Sequence, residues 1–199
     1  MSSEYDPAFG AGPPDGAARD DLAGVQAAFR RASRPYLSSP LPWFAWAALL
    51  PGAALATGRV AAAGGVPAVL ALWSLTVLAG GLVEGTVLLS ARRRLGSSAL
   101  GAWAMRVQGN LSLVGAALSI ALLAAGREAL LPALWLLLLG HSLFALGGLA
   151  LGAQRLAGIV YQVGGVAALV PGVPPLIAFA LATAAGNLVV AFGVLRARA

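Results

Sequence analysis

The sequence predicts an all-α protein: a polytopic transmembrane helix bundle with six transmembrane helices and both termini on the cytoplasmic side. Three observations carry that expectation. The 199-residue chain is 59% hydrophobic and only 10% charged, with a mean hydropathy of +0.85; a small soluble domain needs more polar surface than this. After residue 42 the apolar residues gather into six runs, near the length of about 20 residues that a helix needs to cross the hydrocarbon core. Only helices or closed barrels satisfy their own backbone hydrogen bonds there. The 13 basic residues are all arginines, and they collect at the edges of the apolar runs, the pattern that orients a membrane protein.

The formal charge of +6 therefore reads as membrane orientation, and no nucleic-acid partner is expected. The absence of cysteine excludes disulfides, thiolate metal sites and cysteine nucleophiles.

Taken in order, residues 1–19 are rich in glycine, proline and acidic side chains. They lack the basic and apolar regions of a signal peptide and read as a disordered cytoplasmic tail. Residues 20–42 read as an amphipathic interfacial helix and linker. Asp20 and Asp21 suit an N-cap and first turn, Leu22, Val25 and Phe29 recur at helical spacing, and Arg30, Arg31 and Arg34 lie near the end. Such a helix either lies on anionic headgroups or serves as a solvated linker.

Residues 43–199 form the six-helix transmembrane domain, with spans at 43–58, 67–91, 103–125, 131–152, 156–170 and 174–195. Pro67, Pro132, Pro174 and Pro175 stand where a helix tolerates proline, in its first turn. Pro51 lies inside the first span and is expected to kink it. The stretch "PGVPP" joins the fifth and sixth spans, and "PAVLALW" and "PALWLLL" hint at repeated hairpins. With the N-terminus inside, the cytoplasmic side carries Arg19, Arg30, Arg31, Arg34, Arg92, Arg93, Arg94, Arg106, Arg155, Arg196 and Arg198. The outer side carries only Arg59 and Arg127.

Chemistry could occur in few places. In "GGLVEGTVLLSARRRLG" a carboxylate, Glu84, interrupts an apolar run. In an antiparallel hairpin turning near Leu95 and Gly96, Glu84 and Arg106 fall at similar depth on adjacent helices. A lone charge in the bilayer costs about 2.5–3.5 kcal/mol on insertion scales, which pairing relieves. Glu84 is thus first a salt-bridge partner of Arg106 and second a proton or cation site that changes partner during a cycle. Gln108, Asn110, Gln162 and Asn187 fall between the middle and the cytoplasmic end of their spans, and His141 lies near the centre of the fourth. Together they either hydrogen-bond across helix interfaces or line a cavity open to the cytoplasm. His141 also leaves a pH-sensing role open. Gly81 and Gly85, and again Gly148 and Gly152, are GxxxG pairs that let helices approach closely. Packing within the monomer is their first reading, with a homo-oligomer left open.

No catalytic pattern accompanies these residues. A single histidine excludes HExxH and other multi-histidine metal sites, and there is no P-loop and no GxSxG. No enzyme activity, cofactor or metal is expected.

The stretch "LLPALWLLLLGHSLFALGGLALGAQRLAGIV", the later "AAGNLVVAFGVLRARA", and "ARRRLG" after the second span resemble an uncharacterised family of six-helix bacterial integral membrane proteins with a short amphipathic N-terminal segment. Its members read Trp-Leu-Leu-Leu-Tyr-Gly in the fourth helix and Gly-Leu-His before an apolar-Gly-basic ending. Trp135 and Gly140 fit that pattern, whereas Leu139 stands where tyrosine is usual and Asn187 where histidine is expected. The resemblance covers most of residues 28–199. It implies a protein of the bacterial inner membrane and, from neighbouring winged-helix regulators, a cytoplasmic regulatory partner. The expected function is a non-enzymatic accessory or sensory component embedded in the lipid bilayer. The alternative is a small proton- or cation-coupled transporter or channel built on Glu84.

Overall fold

The computed structural model describes residues 15–34, 37–96, 99–145 and 151–198. Among them every regular element is helical: α1 Asp15–Ser33, α2 Leu41–Leu95, α3 Ala99–Ala124, a 3-10 turn Glu128–Leu130, α4 Leu131–Ala145, α5 Gly152–Ala167 and α6 Pro175–Arg196. Four segments, Leu41–Leu95, Ala99–Ala124, Glu128–Ala145 and Pro175–Arg196, are long and apolar enough to cross a membrane. That agrees with the membrane class read from composition.

α2 is 55 residues long, far beyond the roughly 20 of one crossing, and it is not one rod. At Gly65 the backbone has φ 63° and ψ −158°, a region that glycine alone enters freely because any Cβ would clash there. Two side-chain bonds show that the chain reverses at this point. Trp73 Nε1 donates to Thr57 Oγ1 at 3.2 Å, and Trp46 Nε1 donates to Glu84 Oε2 at 3.0 Å. The members of each pair stand equally far from Gly65 in sequence. A straight helix would hold Trp46 and Glu84, 38 residues apart, about 57 Å from each other. α2 is therefore an antiparallel hairpin with arms 41–64 and 66–95. Pro51, expected to break the first span, sits in an arm whose φ/ψ stay helical; its fixed φ suits a helix, and only one ladder bond is missing.

The fold-back recurs. α3 and α4 reverse near Gly126, and α5 and α6 near Gly172, both glycines with positive φ. In the second hairpin Trp135 Nε1 donates to Ser119 Oγ at 3.1 Å, with the same 16-residue separation as Trp73 and Thr57. Each hydroxyl donates in turn to the carbonyl four residues before it, Thr57 to Ala53 and Ser119 to Gly115. One device thus closes both hairpins, and its tryptophans are those of "PAVLALW" and "PALWLLL".

α6 is the axis of the bundle, packed against α2, α4 and α5. Of its most apolar stretch 56% is buried, against 6% in α3. Small residues permit this: Gly164 of α5 faces Ala182, Gly186 lies under the Tyr161 ring, and Gly193 meets Ala153. α4 and α5 come closer still. A Cβ on Gly158 would stand 2.6 Å from the Phe144 backbone nitrogen, and one on Gly140 would stand 2.9 Å from the Gly158 carbonyl oxygen. Lipid is as apolar as leucine, so helices in it are held by such close dispersion contact more than by burial. Around this seam Ala54, Leu136, Tyr161, Phe179, Ala180 and Ala182 form the main core, flanked by Trp73 and Trp135. Edge-to-face rings, Trp73 on Phe179 at 5.7 Å and Phe44 on Phe192 at 5.8 Å, fix both arms of α2 on α6.

Several boundaries differ from the sequence reading. α1 begins at Asp15, so Asp20 and Asp21 occupy its second turn rather than its cap; Ala17 and Ala18 extend helix propensity upstream. The tail expected at 1–19 falls on residues outside the description up to residue 14. Of the fourth span, expected at 131–152, residues 146–150 lie outside the description; α4 is described over Leu131–Ala145, Leu151 is extended at φ −147° and ψ 121°, and Gly152 opens α5 rather than closing the fourth span. At 16 residues α5 is about 24 Å long, and it is not among the four membrane-length segments. α1 packs on α3 and leaves Leu22 and Val25 exposed.

Candidate functional site

Polar side chains are distributed over the three hairpins, and several of them bond across their own hairpin. In the first, Glu84 is half-buried on the second arm of α2 and accepts from Trp46. The Trp46 ring lies flat on Gly80, where a Cβ would overlap it, so a side chain at position 80 would push away the donor that holds the carboxylate. In the second hairpin Gln108 Oε1 accepts from Ser142 Oγ across α3 and α4. In the third, Asn187 Nδ2 donates to Tyr161 Oη at 2.8 Å and to the Thr183 carbonyl at 2.8 Å. Thr183 is fully buried, and its hydroxyl returns to the Phe179 carbonyl at 2.8 Å. Each of these bonds closes within one hairpin, so the hairpins meet one another through rings and small residues.

The residues singled out in the sequence do not converge. Asn187 is buried at 3% exposure, Glu84, Gln108 and Gln162 are half-buried, and Arg106, Asn110 and His141 are exposed. Gln162 lays its Cγ against Gly140. None of these residues lines the groove between α5 and α6. Nor is the Glu84–Arg106 pair formed within one chain: the carboxylate takes its hydrogen bond from Trp46, and α3 leans on α4 and α1 without extended contact with α2. The second arm of α2 and α3, expected to pair as a hairpin about Leu95 and Gly96, have no extended contact; the hairpin that holds Glu84 is the one between the first two spans, turning at Gly65.

The glycine pairs are also placed differently from the expectation. A Cβ on Gly81, Gly85 or Gly152 would meet nothing within 4 Å, and Gly148 lies outside the described residues. The close-packed position is Gly80, one residue and about 100° of helix rotation from Gly81. Sequence reasoning passed over the partners as well: Trp46, Tyr161, Thr183, Ser142, and the repeated pairs Thr57 with Trp73 and Ser119 with Trp135. A tryptophan 16 residues after a hydroxyl, occurring twice, was the available signal.

Among the described residues two buried side-chain polar atoms have no hydrogen-bond partner, Trp43 Nε1 and Gln154 Oε1. Trp43 packs on the cluster of Ala157, Val190 and Val194. Beside it an open apolar groove of about 420 Å³ runs between α5 and α6, lined by Gly152, Leu156, Leu188 and Phe192, with Arg196 at one end. Arg155 stacks on the Phe144 ring at 5.1 Å, a cation–π contact joining the second and third hairpins. Among the described residues no group of three or more histidine, cysteine or acidic side chains could hold a metal ion. The chemistry this arrangement supports is helix-to-helix hydrogen bonding. Comparison with protein-family models, curated proteins and solved structures finds no match for this chain.

Proposed function

We propose that the chain is a six-helix integral protein of the cytoplasmic membrane with both termini inside, acting as a non-enzymatic accessory or sensory component. Its helical bundle responds to bilayer state or to a small ligand, and α1 passes that state to a cytoplasmic protein. One observation carries the reading: α1 packs on α3, the long helix with the smallest buried share. The element most open to lipid is therefore the one that touches the N-terminal helix. Three hairpins, each with its own polar bonds and packed on one another through small residues, can shift against each other without breaking the Trp46–Glu84, Ser142–Gln108 or Asn187–Tyr161 bonds. A ligand or bilayer condition then acts by favouring one arrangement over another.

A spin-label pair at Gln26→Cys in α1 and Ser112→Cys in α3 tests this in the otherwise cysteine-free chain. The distance distribution is expected to change between vesicles of different thickness or anionic lipid content. An invariant distance, together with a proton or cation flux in liposomes that Glu84→Gln abolishes, would favour a small transporter instead.

A further inference from the structure

The second arm of α2 and α3 follow one another in the chain, yet they carry an opposite pair of intramembrane charges that do not meet. Glu84 has one oxygen, Oε2, held by Trp46. Arg106 is exposed on α3 and has no ion pair among the described residues. Exposed leucines are what lipid expects, but Arg106 is not, and neither is Asn110 one turn further on. Both lie on one face with Trp103, itself 45% exposed. On the arm carrying Glu84, Leu78, Leu82 and Leu89 are exposed. They point about 130° around the helix from Glu84, whereas Val77, 57% exposed, and Gly81 stand within about 60° of it. Gly81 and Gly85 are open on that arm, with nothing within 4 Å of a Cβ at either position, so another backbone can come close.

We propose that a second copy of this chain covers these two faces. Glu84 of one copy pairs with Arg106 of the other, twice, about a two-fold axis along the membrane normal. Such an axis keeps depth constant, so two residues at similar depth in one chain are at similar depth across the interface. The arrangement is isologous: the surface that offers Glu84 and Arg106 is its own complement. It pairs charges that would otherwise stand unpaired in or at the edge of the bilayer. The proposal rests on the membrane reading of α2 and α3.

A charge swap between copies tests it. Two differently tagged chains, Glu84→Arg and Arg106→Glu, are expressed alone and together, and dimers are measured by energy transfer in native-lipid nanodiscs. Each variant alone brings like charges together and is expected to lose at least about tenfold in dimer population. Together they restore both pairs, and the mixed dimer recovers to the wild-type level. Recovery only when both changes sit in one chain would mean that the charges pair within the monomer, and would overturn the proposal. A monomeric wild-type chain that still floats with membranes would overturn it too and leave the membrane reading standing; a chain that fails to float would sink both. Should charge reversal block insertion, Arg106→Gln must lower the dimer fraction while the thermal unfolding midpoint of the monomer stays unchanged. A disulfide between Gly81→Cys of one copy and Asn110→Cys of another, which fall level when Glu84 faces Arg106, must form on oxidation in membranes, and its absence would count against the interface.

Discussion

Asn187 shows how one side chain settles a helix pair. Its amide donates to Tyr161 on the neighbouring helix and to a carbonyl on its own, and the Tyr161 ring in turn lies over Gly186. Asn187→Leu removes both donated bonds and leaves the Tyr161 hydroxyl buried without its donor. We expect a loss of about 1–3 kcal/mol in unfolding measured in bicelles. Adding Tyr161→Phe should recover part of it, because the stranded group is then gone. A double variant no better than Asn187→Leu alone would mean that the pair is not coupled. Glu84 obeys the same logic on a smaller scale. Glutamine at 84 still accepts from Trp46, so Glu84→Gln leaves the first hairpin folded, and its effects report on charge alone.

At the scale of the element, the hairpin turn is the decisive feature. Gly65 reverses a 55-residue helical run in one residue, and the Trp46–Glu84 and Trp73–Thr57 bonds depend on it. Gly65→Ala should cost on the order of 1–3 kcal/mol, because its φ and ψ lie where side chains are excluded. Gly58→Ala in the same run provides the contrast. Its Cβ would meet nothing within 4 Å and its backbone is helical, so alanine should stabilise by roughly 0.5–1 kcal/mol. Thermal unfolding in detergent reads both. Equal effects at the two positions would show that the turn is not where the backbone demands glycine. The arginine placement fits the elements as well: α1, α2 and α6 each end in arginine, where the helix dipole is negative.

For the whole molecule, the glycine turns at Gly65, Gly126 and Gly172 lie near contacts such as Trp73 on Phe179 and Ala133 beside Val173, while Trp43 packs on Val194 near the far end of α6; we expect the turns on the outer side and the ends of α2 and α6 inside. The absence of native cysteine makes this directly testable. Cysteines beside Gly64 and Pro174 should react with an impermeant reagent from outside intact cells. Those beside Leu95 and Ala197 should react only after permeabilisation. The reverse pattern would overturn the orientation drawn from arginine while leaving the fold intact, since the bundle is the same read from either side.

Composition and hydropathy by themselves determined that the chain is helical, suited to a membrane and organised in apolar runs near residues 67, 103, 131 and 174. These properties are local: a helix in lipid must satisfy its own backbone, so length and apolarity suffice to mark it. The positions of the polar residues were legible in the same way, but their partners were not. A change of one position turns a helical side chain by about 100°, so Gly80 packs where Gly81 was expected. The arm carrying Glu84 packs on the span before it rather than on the span after it, so its partner is Trp46 and not Arg106. Only the tertiary structure decided these pairings, because lipid rewards any close contact between helices almost equally. The choice among contacts falls to small residues and turn geometry, whose consequences appear only when the helices are set side by side.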